Sequence, residues 1–132
     1  MARRPGLLGC AGLLALALGC GSGGPPTYKV TGTVTCDGVP VEDGEILFIP
    51  VEKELGPDAG RIRNGAYEMR AKAGKKRVEI RASRPLPGKR NPMGPVYVDY
   101  IPEKYNARTT LGAEVRPDGP NRFDYQLEGG KE

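Results

Sequence analysis

Residues 30–49, VTGTVTCDGVPVEDGEILFI, join two runs of strand-like residues through turn signals. In the first run, valine and glycine alternate with threonine, which is the period-two pattern of a strand with one buried face. Asp37-Gly38 then marks a tight turn. The run 46–49 is apolar on both faces, as is typical of a covered strand. This stretch therefore predicts a β fold.

The same pattern continues downstream. Asn64-Gly65, the strongest two-residue hairpin signal, separates two short strand-like runs. Val78, Ile80 and Ala82 alternate with charged residues, and two more alternating runs lie nearer the C-terminus. No window shows a helical stripe of apolar residues. Short strands separated by turns rich in glycine and proline predict an all-β sandwich of seven to eight antiparallel strands.

The segment 84–106 is the least regular part of the sequence. Residues 84–95 are rich in proline and glycine and predict a long loop, 96–101 predict a short edge strand, and 102–106 predict a turn or one 3₁₀ turn. Long irregular segments on a rigid scaffold often carry function. We therefore expect the binding surface here, with six candidate residues, namely Lys89, Arg90, Tyr97, Tyr100, Lys104 and Tyr105.

The N-terminal residues carry a targeting signal. A short basic start precedes the apolar run 7–18, which suits a signal peptide and is too short to span a bilayer. The run ends in LALGC, residues 16–20, which resembles a bacterial lipobox with Ala17 where leucine is usual. We expect a lipoprotein signal peptide over 1–19 and lipidation of Cys20. Ordinary cleavage, giving a soluble secreted or periplasmic protein, is the alternative.

Cleavage before Cys20 defines the organisation of the chain. Residues 20–27 predict a flexible tether rich in glycine and proline, 28–128 the β domain, and 129–132 a frayed C-terminus. The signal peptide contains two of the 20 basic residues and none of the 16 acidic ones, so its removal lowers the formal net charge from +4 to +2. This small charge does not indicate a nucleic-acid partner.

The composition excludes several kinds of active site. The chain has no histidine, which rules out a histidine general base, a histidine triad and imidazole metal ligands. If Cys20 is acylated, Cys36 is a lone thiol, and a Cys20–Cys36 disulfide is the alternative in an oxidising compartment. The carboxylates of residues 37–45 match no calcium-loop spacing. We expect no catalytic residue, no metal and no cofactor.

Several motifs carry a resemblance to a known family. The pattern V-x-G-x-V over 30–34, D-G-x-P-V over 37–41 and G-E-I-L-F over 44–48 resembles the opening of carboxypeptidase regulatory-like domains, which have a transthyretin-like (prealbumin-like) sandwich. N-G-x-Y over 64–67 matches the next hairpin of that family. The resemblance implies a Greek-key sandwich. It implies no peptidase activity, because these motif residues are turn and core positions.

The C-terminal half resembles small bacterial lipoproteins that carry this domain. The matching segments are P-x-K-Y-N over 102–106 and N-x-F-x-Y-x-L over 121–127. Enzymes of the same superfamily need histidines that this chain lacks.

These observations lead to one expected function. We expect a non-enzymatic, lipid-anchored module of the bacterial cell envelope, attached to a membrane through Cys20, that binds an envelope protein or polymer. An accessory subunit that docks on a partner protein through an edge strand is the alternative. A carboxylate-based hydrolase is a third, weaker hypothesis.

Overall fold

A computed structural model of the protein describes residues 24–52 and 54–129. The predicted signal peptide, residues 20–23 of the predicted tether with Cys20, and the last three residues lie outside this part. Nine strands and one short 3₁₀ turn form the described fold. The strands are β1 (Thr27–Cys36), β2 (Val39–Pro40), β3 (Asp43–Pro50), β4 (Asp58–Arg63), β5 (Ala66–Lys72), β6 (Gly74–Asn91), β7 (Gly94–Asp99), β8 (Gly112–Val115) and β9 (Tyr125–Leu127), and the 3₁₀ turn spans Glu103–Tyr105.

The predicted all-β sandwich is confirmed, with nine strands in place of seven or eight. The sheet order is β2-β1-β5-β4-β3-β6-β7, with β8 also paired to β6 and β9 to β1. The sheet curls so that its inner face encloses the core, which holds most of the valine and isoleucine side chains of β1, β3, β4 and β6. The first strand begins at Thr27, inside the predicted tether.

Both predicted hairpin turns form for the expected reason. Asp37 and Gly38 have φ angles of 55° and 79°, and Asn64 and Gly65 have φ angles of 50° and 80°. Two successive residues with positive φ define the type I′ turn, whose twist matches the twist of the flanking strands. The turn chemistry therefore joins β1 to β2 and β4 to β5 as predicted.

The expectation that all strands pair antiparallel is wrong at one place. Strand β9 runs parallel to β1, with Val34 opposite Tyr125 and Cys36 opposite Leu127. The reason is the connection: the chain leaves β8 on the β6 side of the sheet and crosses to β1, so no hairpin sets the direction of β9. A crossover connection allows parallel pairing, whereas a short hairpin does not.

A glycine makes this crossover possible. A Cβ atom on Gly32 would lie 1.8 Å from the carbonyl oxygen of Phe123, so only glycine admits the returning chain against β1. The hydroxyl of Tyr67 donates a hydrogen bond of 2.6 Å to the same carbonyl. The C-terminal segment is therefore fastened to β1 by its backbone, since the Phe123 N–H donates to the Thr31 carbonyl at 2.9 Å, and to β5 by the Tyr67 side chain.

Strand β6 changes partners along its second edge. Its first residues pair with β8 and its last residues pair with β7. Between these pairings, side chains take the place of a strand: the Asn106 amide donates to the Ile80 carbonyl at 3.1 Å, and the Thr109 hydroxyl donates to the Val78 carbonyl at 2.7 Å. We call residues 100–111 the plug, because they fill this gap in the sheet.

The predicted long loop over 84–95 is wrong. Strand β6 continues to Asn91 and pairs with β7, so residues 83–99 form a hairpin that extends beyond the core, which we call the arm. The hairpin tolerates its prolines because the pairing register shifts between Pro85 and Arg90. Proline lacks the N–H of a regular ladder and is accommodated at such irregularities.

No helix in the described part of the chain has the length and apolar character needed to cross a bilayer.

Candidate functional site

A cleft of about 910 Å³ lies at the base of the arm. One wall is formed by the end of β1, the turn into β2 and the start of β3, and the other by the arm and the first residues of the plug. Its lining residues are Cys36, Asp37, Val39, Pro40, Glu42, Asp43, Ser83, Arg84, Pro85, Tyr97, Val98, Asp99, Tyr100, Ile101, Pro102 and Gly129.

The cleft exists because the arm carries the inner face of the sheet past the end of the core. Along β6, buried Ile80 and Ala82 point inward, so by the alternation of a strand Arg84 points to the same side. Val98 lies directly opposite Arg84 in β7 and shares that side. No core residue covers these positions, and their side chains face the cleft.

An arginine and a tyrosine stack at the base of the cleft. The Arg84 guanidinium carbon lies 4.5 Å from the ring centre of Tyr100, a cation–π contact. Burial raises the pKa of Tyr100 above its usual value, and the nearby Arg84 partly offsets this. The Tyr100 hydroxyl is protonated at neutral pH and can act as a hydrogen-bond donor.

The cleft contains three of the five large apolar side chains that are exposed in the described fold. Among large apolar side chains, Val39 is 63% exposed, Tyr97 60% and Val98 39%, and all three line the cleft. A concave surface that leaves aromatic and aliphatic side chains in contact with water is typical of an interaction site.

The cleft is acidic although the chain is basic overall. It holds four carboxylates, of which Asp43 is neutralised by Arg61 at 3.1 Å. Within the described residues, Glu42 and Asp99 form no ion pair, and Arg84 is the only cation among the lining residues. The carboxylates are spread along the cleft: no group of three or more acidic, cysteine or histidine side chains in the described ranges is arranged to hold a metal ion.

Cys36 lies buried at the floor of the cleft and forms no disulfide within the part of the chain that the structure describes. Burial raises its pKa above the usual value and the negative charge of Asp37 raises it further, against a smaller opposite effect of Arg84. A thiol with a raised pKa is almost fully protonated at neutral pH and is a weak nucleophile. This chemistry does not favour a catalytic cysteine.

The six candidate residues predicted from the sequence do not form one surface. Tyr97 and Tyr100 both line the cleft. Lys89 and Arg90 lie exposed near the tip of the arm, outside the cleft.

The last two candidates belong to the plug. Tyr105 is half-buried, packs against the core, and its hydroxyl oxygen accepts a hydrogen bond of 3.0 Å from the Glu128 backbone N–H. Lys104 lies over the Tyr105 ring, with its ammonium nitrogen 5.2 Å from the ring centre. Tyr105 therefore has a structural role, because its hydroxyl binds the C-terminal segment.

The basic run over 72–90 is not a continuous cationic surface. Lys72 forms an ion pair of 2.8 Å with Asp58, and Glu79 accepts ion pairs from an arginine on each side. Lys76 points inward and is only 4% exposed. The exposed basic side chains of this run that form no ion pair within the described residues are Lys75, Arg84, Lys89 and Arg90, and only the last two lie near the tip of the arm.

The six candidate residues did not include Arg84, Glu42 or Asp99, although Arg84 and Asp99 lie in the expected segment 84–106. A signal for Arg84 was available, because the period-two pattern of β6 extends through this position. No local sequence pattern indicated that the two carboxylates share a cleft. Glu42 follows a two-residue strand and Asp99 ends another strand, and only the fold brings them to the same cleft.

Comparison with known proteins does not assign the chain to a family. No protein-family model matches the chain, and no curated protein does. Among solved structures, a 9R-lipoxygenase from Cyanothece is similar over 78% of this chain and 16% of that chain, at 15% identity and a TM-score of 0.35. The chain thus spans about a sixth of the lipoxygenase length, and a likeness of this size carries no argument about fold or activity.

Proposed function

We propose that this protein is a non-enzymatic, lipid-anchored module of the bacterial cell envelope that binds a ligand in the cleft at the base of the arm. The basic start, the short apolar run and the lipobox-like LALGC at 16–20 support the anchor at Cys20. The tether over 20–27 supports a domain held close to a membrane surface. The resemblance of residues 28–127 to carboxypeptidase regulatory-like domains supports the sandwich that carries the cleft.

One observation carries the binding proposal, namely the combination of surfaces inside the cleft. Exposed Tyr97, Val98 and Val39 offer aromatic and aliphatic contact area. The carboxylates of Glu42 and Asp99, which form no ion pair within the described residues, also line the cleft and offer strong hydrogen-bond acceptors. Aromatic rings next to acceptors suit sugar rings that carry hydroxyl and amino groups, so we favour a cell-wall polymer as the ligand.

The chemistry of the cleft favours binding over catalysis. The chain has no histidine, and the buried thiol of Cys36 has a raised pKa. Acid–base catalysis would need a convergent pair of carboxyl groups with separated pKa values. The proposal therefore assigns no reaction to the cleft.

Co-sedimentation with insoluble cell-wall polymer tests the binding site. We expect the unmodified chain to pellet with the polymer, and Tyr97→Ala and Glu42→Gln each to lower the affinity at least tenfold. Met93→Ala is the matched control, because Met93 is 95% exposed yet lies at the arm tip outside the cleft. Equal binding of all variants, or binding only to anionic lipid vesicles, would contradict a polymer site in the cleft.

Intact mass of the membrane-extracted protein tests the anchor. We expect a mature chain that begins at Cys20 and carries acyl mass, and a Cys20→Ala variant that is released from the membrane fraction. An unmodified chain that begins elsewhere would contradict the anchor and leave the cleft proposal to its own test.

A second candidate function is an accessory subunit docked through an edge strand. The outer edge of β7 favours it, because β7 ends the sheet order and has no strand beyond it in the described residues. Recovery of one stoichiometric envelope protein, lost when Tyr97 is replaced by proline, would favour this candidate over polymer binding.

A further inference from the structure

The outer edge of β7 presents a short and well-defined set of backbone groups. The Tyr100 N–H donates to the Ala82 carbonyl, so Tyr100, and by alternation Val98, direct their backbone groups toward β6. Tyr97 and Asp99, which alternate with Val98 and Tyr100 along the strand, therefore direct their N–H and C=O groups away from β6. Both residues are exposed, and no described strand covers this edge.

These groups are complementary to themselves. If two copies of β7 lie antiparallel with Tyr97 opposite Tyr97, each Tyr97 N–H reaches the Tyr97 carbonyl of the other copy. In the same register Asp99 lies opposite Pro95, so each Asp99 N–H reaches a Pro95 carbonyl. Four hydrogen bonds form, and every outward N–H of Tyr97 and Asp99 finds an acceptor.

Pro95 fits this register instead of opposing it. Edge strands commonly carry proline and charged residues that prevent pairing with other chains. Here Pro95 lies opposite Asp99 of the other copy, and only its carbonyl takes part, as the acceptor of the Asp99 N–H. The missing N–H of proline therefore removes no hydrogen bond. A partner strand that needs a donor at position 95 is disfavoured. The edge thus accepts its own sequence while it disfavours many others.

The charges along the arm support the same register. Arg90 lies directly opposite Pro95 within the arm, and Pro95 lies opposite Asp99 of the other copy. Residues directly opposite one another project from the same face of a sheet. The cationic tip of each arm therefore comes beside the carboxylate at the base of the other arm, while the two Asp99 side chains stay apart.

An aromatic pair completes the centre of the contact. Tyr97 is opposite Pro85 within the arm and becomes opposite Tyr97 across the two-fold axis. Cross-strand aromatic pairs stabilise antiparallel sheets. The exposure of this ring in the single chain is explained by such a partner.

We propose that two copies of this chain associate through the outer edges of β7, antiparallel and centred on Tyr97, to join the two arms in one four-stranded ribbon. The partner is a second copy of this chain, as favoured by the matching donors and acceptors and by the pairing of Arg90 with Asp99. This inference does not depend on which ligand the cleft binds, although Tyr97 and Asp99 belong both to the cleft lining and to the edge that pairs. Six-residue edges bury little surface, so the pair is weak and concentration-dependent.

Engineered disulfides test the register. In the full chain with Cys10 and Cys20 replaced by serine, Tyr97→Cys places two Cα atoms about 5.5 Å apart across the axis, within disulfide reach. Met93→Cys is the matched control: it is more exposed than Tyr97, yet the proposed register separates its two Cα atoms by about 25 Å. We expect rapid dimer formation under mild oxidation for Tyr97→Cys and at least tenfold slower formation for Met93→Cys.

Sedimentation equilibrium of the unmodified sequence, with a charge-reversal pair, gives a second measurement. We expect a monomer–dimer equilibrium that weakens with added salt. Asp99→Arg should weaken the dimer at least tenfold, and Arg90→Asp combined with Asp99→Arg should restore it. A chain that stays monomeric up to about 1 mM, a dimer insensitive to Asp99→Arg, or equal cross-linking of the two cysteine variants would each overturn the proposal.

Discussion

The arm and the plug follow one another in the sequence, yet they have opposite roles. The arm, residues 83–99, leaves tyrosine, valine, methionine and basic side chains exposed to water. The plug, residues 100–111, buries Ile101 and Asn106 and fills the free edge of β6. From the sequence alone, the residues from 84 to 106 were expected to act as one surface.

The two regions differ because they face parts of β6 whose backbone groups have different hydrogen-bond partners. Where β7 pairs with β6, strand β7 supplies the hydrogen-bond partners of the β6 backbone. The side chains of the arm are therefore not needed for this purpose and can form a surface. Where β6 has no strand partner between β7 and β8, the carbonyls of Val78 and Ile80 depend on side chains of the plug. Buried carbonyls must be paired, so the plug residues have a structural role.

The largest expected effect comes from two asparagines, one in each region. The Asn106 side-chain amide donates to the carbonyls of Ile80, Ile101 and Pro102, and Asn106 is 8% exposed. The exposed Asn91 side chain accepts a hydrogen bond only from the Met93 N–H among the described residues. Asn106→Ala leaves buried acceptors unpaired and should lower the free energy of unfolding by about 3 kcal/mol. Asn91→Ala should lower it by less than about 0.5 kcal/mol. Denaturant titration measures both, and equal losses would remove the distinction between arm and plug.

Two adjacent threonines give the next effect. The Thr109 hydroxyl donates to the Val78 carbonyl and accepts from the Leu111 N–H, while its neighbour Thr110 is exposed. Thr109→Val keeps the shape and removes both bonds, so we expect a loss of about 1.5 kcal/mol. Thr110→Val is the control and should change little. A similar loss for both variants, measured by thermal unfolding, would contradict the role given to Thr109.

Two lysines on β6 extend the comparison to pH. The Lys76 ammonium nitrogen is buried without a hydrogen-bond partner among the described residues, and burial lowers its pKa below the ordinary value of 10.5. Between the lowered and the ordinary pKa the unfolded chain binds more protons, so the free energy of unfolding rises with pH across that window. Lys76→Met should abolish this rise and add about 1 kcal/mol at neutral pH. The exposed Lys89→Met is the control and should leave the pH profile unchanged.

The smallest expected effect separates two tyrosine hydroxyls. Tyr105→Phe removes the acceptor of the Glu128 N–H and should cost about 0.5–1 kcal/mol. Tyr97→Phe alters an exposed ring in the arm and should leave stability unchanged. Hydrogen exchange of the Glu128 amide provides a direct measurement, since it should accelerate only in the Tyr105 variant.

Much of the fold was predictable because its causes are local. Alternating residues placed strands near their observed positions, and the two type I′ turns followed from Asp37-Gly38 and Asn64-Gly65. The short 3₁₀ turn was also predicted. The candidate site was predicted only in part, since Tyr97 and Tyr100 line the cleft while Lys104 and Tyr105 do not.

The rest depends on partners distant in the chain. The parallel pairing of β9 with β1 requires the close approach of Phe123 to Gly32, and the extent of β6 requires β7 beside it. A local sequence pattern predicts which residues form a strand and which of them share a face. It does not state which strand supplies the neighbouring hydrogen bonds.

The sequence by itself determined the all-β class, the turns and the absence of histidine chemistry, because these follow from residue type and short-range spacing. The tertiary structure alone decided that Glu42 and Asp99 meet in one cleft with Arg84, that Asn106 completes a sheet edge, and that the outer edge of β7 is open. These properties depend on which backbone groups are left unpaired after the chain has folded, and that is a property of the whole sheet.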